Sequence, residues 1–358
     1  MSSDQVSAGQ PVRSNGRRLR GILVGCGYIS TQQLGAWAQI SEVEIVALVD
    51  FDENKARHQA ERYEIAATYA SLGEALDAHD VDFVDIATPP QTHVDLVRSS
   101  AEAGVHILCQ KPFAPSMKDV DEMVEIADRA GVRLVANENM RFQAWFLKMK
   151  QLLDSGEIGR PFYAHWTDRS RWTLPTVTFI DQPYFATMKQ LVIYEMGIHF
   201  FDTIRYLFGE PLRLAATVGN ASREIAGEDN AVVLVSYENL VAIMDISWAS
   251  IPTYPKADAV SWAVMTIEAE GGTMHLSADG RLRVITDESD TVFEFGPDTI
   301  DQSFVGMQRR FVECISSDSD CEMSGREYAR SMELVFGSYA SAERHEVYRV
   351  GEDRNILA

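Results

Sequence analysis

From Arg20 to Ala136 the chain repeats one alternation, a short apolar run, then a polar or glycine-bearing break, then a stretch with apolar residues at helical spacing. Strands are expected at Arg20 to Val24, Val43 to Val49, near Thr68, and at Phe83 to Ala87, Val105 to Cys109 and Val132 to Ala136. Helices are expected at Gln32 to Gln39, Glu53 to Tyr63, Leu72 to Ala78, Thr92 to Ala103 and Met117 to Ala130. Strands with helices between them pair parallel and need cover on both faces, so this region predicts a doubly wound α/β sheet. In such sheets ligands gather beyond the carboxyl ends of the strands, where Gly25, Asp50, Thr88 and Gln110-Lys111 fall.

The first of those ends reads Gly25-Cys26-Gly27-Tyr28-Ile29-Ser30. The first glycine permits a tight turn, the second lets backbone approach a pyrophosphate, and the helix that follows turns free amides and its positive end toward phosphates. Ser30 stands where the fingerprint has Gly or Ala, so the helix must pack around a slightly larger residue. Asp50 closes the second strand about 25 residues after Gly25, where a carboxylate accepts from both ribose hydroxyls and repels a 2'-phosphate. These features predict a Rossmann domain binding NAD in preference to NADP, with Gly25, Gly27, Tyr28, Ile29, Asp50, Thr88, Pro89, His93, Gln110 and Lys111 around the cofactor.

After Asn137 the rhythm changes. A helix is expected at Ala144 to Leu153, a strand at Pro161 to Thr167, a Pro- and aromatic-bearing loop at Trp172 to Tyr184, and a helix carrying Glu195 and His199. Seven strands without intervening helices follow, Leu214 to Val218, Ala231 to Tyr237, Val241 to Trp248, Ala263 to Ala269, Thr273 to Leu276, Arg281 to Ile285 and Thr291 to Phe295, so neighbours should pair antiparallel. A helix at about Gly325 to Glu343 closes the chain. The expected division is a disordered leader at 1–18, the Rossmann domain at 19–140 and, at 141–358, an α+β domain with a large, mostly antiparallel open sheet. Strands such as Ala231 to Tyr237 and Val241 to Trp248 are too apolar for both faces to meet water. Burial of the open face against its own copy predicts a homodimer or homotetramer.

The sequence has 358 residues, too many for one core to be the default. No apolar run approaches the roughly 20 residues needed to cross a bilayer. Residues 1–18 lack the apolar centre of a signal peptide, and a cytoplasmic protein is expected. Cys26, Cys109, Cys314 and Cys321 form no CxxC pair, which predicts reduced thiols and no metal site. A formal charge of −21 opposes nucleic acid as a partner, which leaves a small molecule.

Two motifs carry chemistry. Gln110-Lys111-Pro112 places a lysine at a strand end beside the expected nicotinamide, and the X-Pro bond is expected to be cis so that the turn can aim Lys111. Tyr194-Glu195-Met196-Gly197-Ile198-His199 places an acid and a histidine one helical turn apart on one face. Oxidising a secondary alcohol needs a base for the hydroxyl proton and a donor for the developing oxyanion. His199 suits the first task, Lys111 the second, and Glu195 can orient the imidazole or bind a neighbouring hydroxyl. Arg141, Arg169 and Arg171 could hold a carboxylate or sugar hydroxyls, or could make ion pairs. Trp166, Trp172 and Tyr184 could wall a sugar ring, or belong to the core.

Taken in order, the glycine turn, Asp50, Thr88-Pro89-Pro90-Gln91-Thr92-His93, Gln110-Lys111-Pro112, Asn137-Glu138-Asn139-Met140-Arg141-Phe142 and the Glu195/His199 segment resemble the Gfo/Idh/MocA family. The resemblance implies a nicotinamide-dependent oxidoreductase acting on sugars, cyclitols or related polyols, with Lys111, Glu195 and His199 catalytic and Arg141, Arg169 and Tyr184 on the substrate side. Two residues depart from the family pattern, Gln110 replacing Glu and Glu195 replacing Asp, and neither removes a group the chemistry needs. The Gln-Lys-Pro variant with Asp181-Gln182-Pro183-Tyr184-Phe185 is similar to a subgroup oxidising pentose-type aldoses such as D-apiose. An NAD-dependent lyase working by transient oxidation and a non-catalytic sensor are the alternatives.

Overall fold

The structure, a computed structural model, describes residues 17–179, 182–254, 260–261, 263–317 and 321–357. Asp181 and residues 1–16 of the expected leader lie outside the described residues. Arg17 and Arg18, the last leader residues, are bonded: the Arg17 guanidinium pairs with Asp82 and the Arg18 Nε donates to the Val43 carbonyl at 3.0 Å.

Two compact units make up the described chain, 17–139 with the described part of 301–332, and 140–300 with 333–357. The first contains β1 (Leu19–Val24), α1 (Tyr28–Trp37), β2 (Val43–Val49), α2 (Glu53–Tyr63), β3 (Ala67–Tyr69), α3 (Leu72–Ala78), β4 (Phe83–Ile86), α4 (His93–Glu102), β5 (His106–Gln110), α5 (Met117–Ala130) and β6 (Leu134–Asn137). Its sheet is parallel in the order β3-β2-β1-β4-β5-β6, the expected doubly wound arrangement. Local chemistry sets the helix bounds. Ser71 and Ser116 cap α3 and α5 by accepting from backbone amides three residues on, and Gly131 stops α5 in the left-handed region at φ 68°.

The second unit contains α6 (Ala144–Ser155), β7 (Pro161–Arg169), α7 (Ile198–Phe208) and the strands β8 (Arg213–Gly219), β9 (Asn230–Ser236), β10 (Val241–Ser247), β11 (Ala263–Ala269), β12 (Gly272–Leu276), β13 (Leu282–Thr286) and β14 (Asp290–Phe293). Together with β15 (Tyr348–Arg349) they form a nine-stranded sheet in the order β14-β13-β12-β11-β7-β10-β9-β8-β15. Successive strands do pair antiparallel, with one exception. Between β10 and β11 lies β7, parallel to the former and antiparallel to the latter. Along β7, Ala164, Trp166 and Asp168 face inward, and α6 and α7 cover that side through Phe146, stacked on Trp166 at 5.5 Å, and Phe200, edge-on to it at 5.7 Å. The opposite face leaves Val232, Leu234, Val292 and Val241 exposed.

The chain then departs from expectation. Residues 297–316, given no element by the sequence, contain α8 (Thr299–Ser316), and 301–332, expected in the second domain, cluster with the first unit. Phe311 of α8 packs edge-on to Phe83 of β4 at 5.3 Å, and Met323 O accepts from Ala136 N at 2.8 Å, pairing the chain along edge strand β6. Burying a side chain such as Phe311 stabilises by about 1.5–3 kcal/mol. Next comes α9 (Gly325–Arg344), ahead of β15. Cys314 and Cys321 are joined as a disulfide, which corrects the expectation of four reduced thiols. Their Cα atoms lie 5.5 Å apart, a proximity that a seven-residue spacing does not announce. Cys26 and Cys109 are free and buried.

Candidate functional site

In the first unit, Gly25 sits at φ +97°, and a Cβ there would meet the Ala87 carbonyl at 2.8 Å, so the turn demands glycine. Gly27, at the start of α1, is different: a Cβ there would meet nothing within 4 Å. Tyr28 opens α1 with its side chain exposed, whereas Ile29 leans on the core around Leu23, Leu34 and Leu48. Ser30 is accommodated by turning its hydroxyl onto the Gly27 carbonyl at 2.6 Å. Asp50, nearly buried at the end of β2, accepts from Cys26 N and Asp52 N at 2.8 Å each, so it also braces the glycine turn.

The next two strand ends are laced together. After β4, Thr88 is half-buried and Pro89 exposed; after β5, Gln110 is buried and its side-chain oxygen accepts from Lys111 N at 2.6 Å. The Lys111-Pro112 bond is cis, as expected. His93 does not reach outward toward a ligand, as its inclusion among the cofactor residues supposed. It is fully buried, with Nδ1 2.8 Å from Phe113 O and Nε2 2.8 Å from Thr88 O, and so ties the two loops from beneath. Burial pushes its pKa down while the two carbonyls oppose that shift.

In the second unit, Glu195 lies in a π-type turn, Ile193–Gly197, that runs directly into α7, and His199 is the second residue of α7. Both are 4 % exposed. Such π turns concentrate at functional sites, and nothing in the residue pattern distinguishes this one from ordinary helix. Tyr184 stands on a short helical turn, Pro183–Thr187; its phenol is held by Gln182 at 2.8 Å and pushed up to about 12, first by burial and then by the charge of Glu195. Tyr184 and Glu195 are therefore close enough to interact.

Other candidates serve the protein itself. Arg141 is buried in a two-pronged pair with Asp202 of α7, at 2.7 and 2.5 Å, with its guanidinium over Tyr206. Arg169 pairs with Asp245 on β10; strand alternation puts it on the sheet face opposite α7, which corrects its assignment to the substrate side. Trp166 is core, and Trp172 packs against Trp248 at 4.9 Å. A residue that the sequence did not single out is Glu228, buried just before β9, whose carboxylate accepts from Leu191 N and Ile193 N at 3.1 Å. Its signal was three polar residues, Glu228-Asp229-Asn230, at the mouth of an apolar strand. Among the described residues no three His, Cys, Asp or Glu side chains are grouped so that they could hold a metal, and no helix is long and apolar enough to cross a membrane.

Known proteins resemble this chain in sequence and fold. Residues 19–138 match the oxidoreductase family model with an NAD-binding Rossmann fold, and 146–275 match the GFO/IDH/MocA C-terminal domain. The D-apiose dehydrogenase of Paraburkholderia graminis is 34% identical over 337 residues, 91% of this chain and 88% of that protein. The chain belongs to the Gfo/Idh/MocA oxidoreductase family. Another family relative, the myo-inositol 2-dehydrogenase of Thermotoga maritima, is 25% identical over 92% of this chain and 98% of its own length. An oxidoreductase from Agrobacterium radiobacter, solved in complex with NAD+, L-tartaric acid and magnesium, is 30% identical with a TM-score of 0.86, covering 93% of this chain and 99% of that one.

The residues present fit NAD, the cofactor of this Rossmann domain. The open space beside Gly27 lets a pyrophosphate approach backbone, and the α1 N-terminus has no side-chain cap, so its amides and dipole face that space. The Asp50 carboxylate has lone pairs beyond the two amides it accepts from, enough for a ribose hydroxyl.

Proposed function

We propose that this protein is an NAD-dependent dehydrogenase oxidising a hydroxyl-bearing carbon of a sugar or polyol, with D-apiose the first substrate to try. The observation that carries the site assignment is the Glu195/His199 pair, nearly buried where a π turn enters α7. When bound, NAD supplies the hydride acceptor. His199 takes the hydroxyl proton, Glu195 orients the imidazole or binds the neighbouring hydroxyl, and Lys111 donates to the oxygen as charge develops on it. Tyr184, beside Glu195, contributes a phenol that stays protonated and can donate to a second hydroxyl. D-apiose is favoured by the 34% identity to an enzyme of that name.

A panel of aldoses and polyols including D-apiose and myo-inositol, followed at the NADH absorbance, tests this. Stoichiometric NADH with one of them is expected. Substrate consumption without free NADH would favour the transient-oxidation lyase, and no reaction of any member would favour a sensor. Use of the cell's nicotinamide pool supports a cytoplasmic location. The exposed apolar residues on the open sheet face, Val232, Leu234 and Val241 among them, fit burial against a second copy in a homodimer or homotetramer. Light scattering at micromolar concentration should give a mass of at least two chains, reduced by Leu234→Asp; a wild-type monomer would overturn the assembly.

A further inference from the structure

Three backbone amides just before and within the π turn, those of Leu191, Ile193 and Tyr194, are satisfied from outside the segment. Glu228, approaching from the start of β9, accepts from Leu191 N with both oxygens at 3.1 Å and from Ile193 N at 3.1 Å. Tyr339, from α9, donates to Glu228 Oε1 at 2.5 Å and accepts from Tyr194 N at 3.0 Å. One carboxylate and one phenol thus close the entrance of the helix that carries Glu195 and His199. Burial pushes the Tyr339 phenol well above its ordinary value, and the adjacent Glu228 charge adds to that, so it stays a donor. Burial raises the Glu228 carboxyl as well, and its hydrogen bonds offset that rise only in part. A π turn is held only when its surroundings determine it, and here two distant elements do so.

We propose that Glu228 and Tyr339 are positioning residues, a clamp that fixes the π turn and thereby the placing of Glu195 and His199; this rests on the dehydrogenase reading above. Neither residue touches substrate in this role, so their loss should act on turnover through geometry.

The test uses the full chain with Glu228→Gln, Glu228→Ala and Tyr339→Phe. Hydrogen exchange of a peptide covering residues 190–199 should quicken by about tenfold or more in each variant, the scale of a lost charge-assisted bond, while peptides from β1 to β6 keep the wild-type rate. The kcat should fall by about tenfold in Tyr339→Phe and further in Glu228→Ala, with partial recovery in Glu228→Gln, while KM changes less than kcat and NAD affinity by fluorescence titration stays the same. Unchanged exchange at 190–199 in all three variants would overturn the clamp. So would loosening spread over the whole chain with kcat per folded molecule unchanged, since that marks a merely structural pair. If wild-type protein oxidises no sugar yet exchange loosens only at 190–199, the clamp on the π turn stands and the dehydrogenase reading is what fails.

Discussion

The two units each contain a helix start aimed at function, and the two are finished in opposite ways. At α1 no side chain caps the N-terminus and a Gly27 side chain would meet open space. At α7 the lead-in turn is closed by Glu228 and Tyr339, which occupy its amides with buried oxygens. An open helix start keeps its amides for an anionic ligand, whereas a closed one gives them up to fix side chains downstream. The same backbone groups thus serve binding in one place and geometry in the other.

The largest expected effect lies on the closed side and at the strand end that carries Lys111. His199→Ala and Lys111→Ala should each lower turnover by roughly 10²-fold or more, the scale of general acid-base groups, with NAD affinity little changed in His199→Ala. Near-wild-type turnover in both would break the site assignment. On the open side, Gly27→Val should weaken NAD binding by about tenfold or more while melting stays near the wild-type temperature, because the added carbons invade only the ligand's space. Gly25→Ala should instead destabilise the fold by about 1–3 kcal/mol, since it must hold φ +97° against the Ala87 carbonyl. Reversal of those two outcomes in calorimetry would mean that the glycines have been assigned to the wrong tasks. Asp50→Ala should narrow the preference for NAD over NADP, measured as the ratio of kcat/KM, and equal wild-type activity with NADP would remove the basis for it. The smallest effect is expected from Tyr184→Phe. Its phenol titrates at about 12, above the ordinary value, so it stays protonated through neutral pH and the variant should raise KM a few-fold, leaving the pH profile between 6 and 10 unmoved. Loss of an alkaline limb in that variant would show that the phenol ionises in the working range.

Much of the first unit was legible because its signals are local. Ser71, Ser116 and Gly131 mark helix bounds within a few residues of the features they control, and α3 and α5 fall where the sequence put them. The strand ends of Gly25, Asp50, Thr88 and Lys111 follow from the same local rhythm. What escaped the sequence depends on residues far apart in the chain. Glu228 acts on amides 35 and 37 positions away, and Tyr339 on one 145 away. Arg169 was read as a residue that could hold a carboxylate or sugar hydroxyls or make an ion pair, and which of these it does is decided by which face of β7 the helices cover. His93 looked like a ligand contact because its motif surrounds the cofactor, and only the positions of two carbonyls show that it points inward. Helix α8 carries a polar first turn after Gly296-Pro297-Asp298, which reads as loop until the apolar face of Phe304, Met307 and Phe311 is seen buried.

The late return of the chain to the first unit bears on how the molecule can be made and dissected. Residues 17–139 hold all six parallel strands, yet Phe83 is sheltered by Phe311, and β6 receives its outer partner only at Met323 and Ser324. On the ribosome the dinucleotide half must wait, with an unsealed edge and an uncovered aromatic patch, until the chain has emerged past Ser324. Severing the gene after residue 140 would make that waiting state permanent, giving a fragment prone to self-association in place of an autonomous cofactor module.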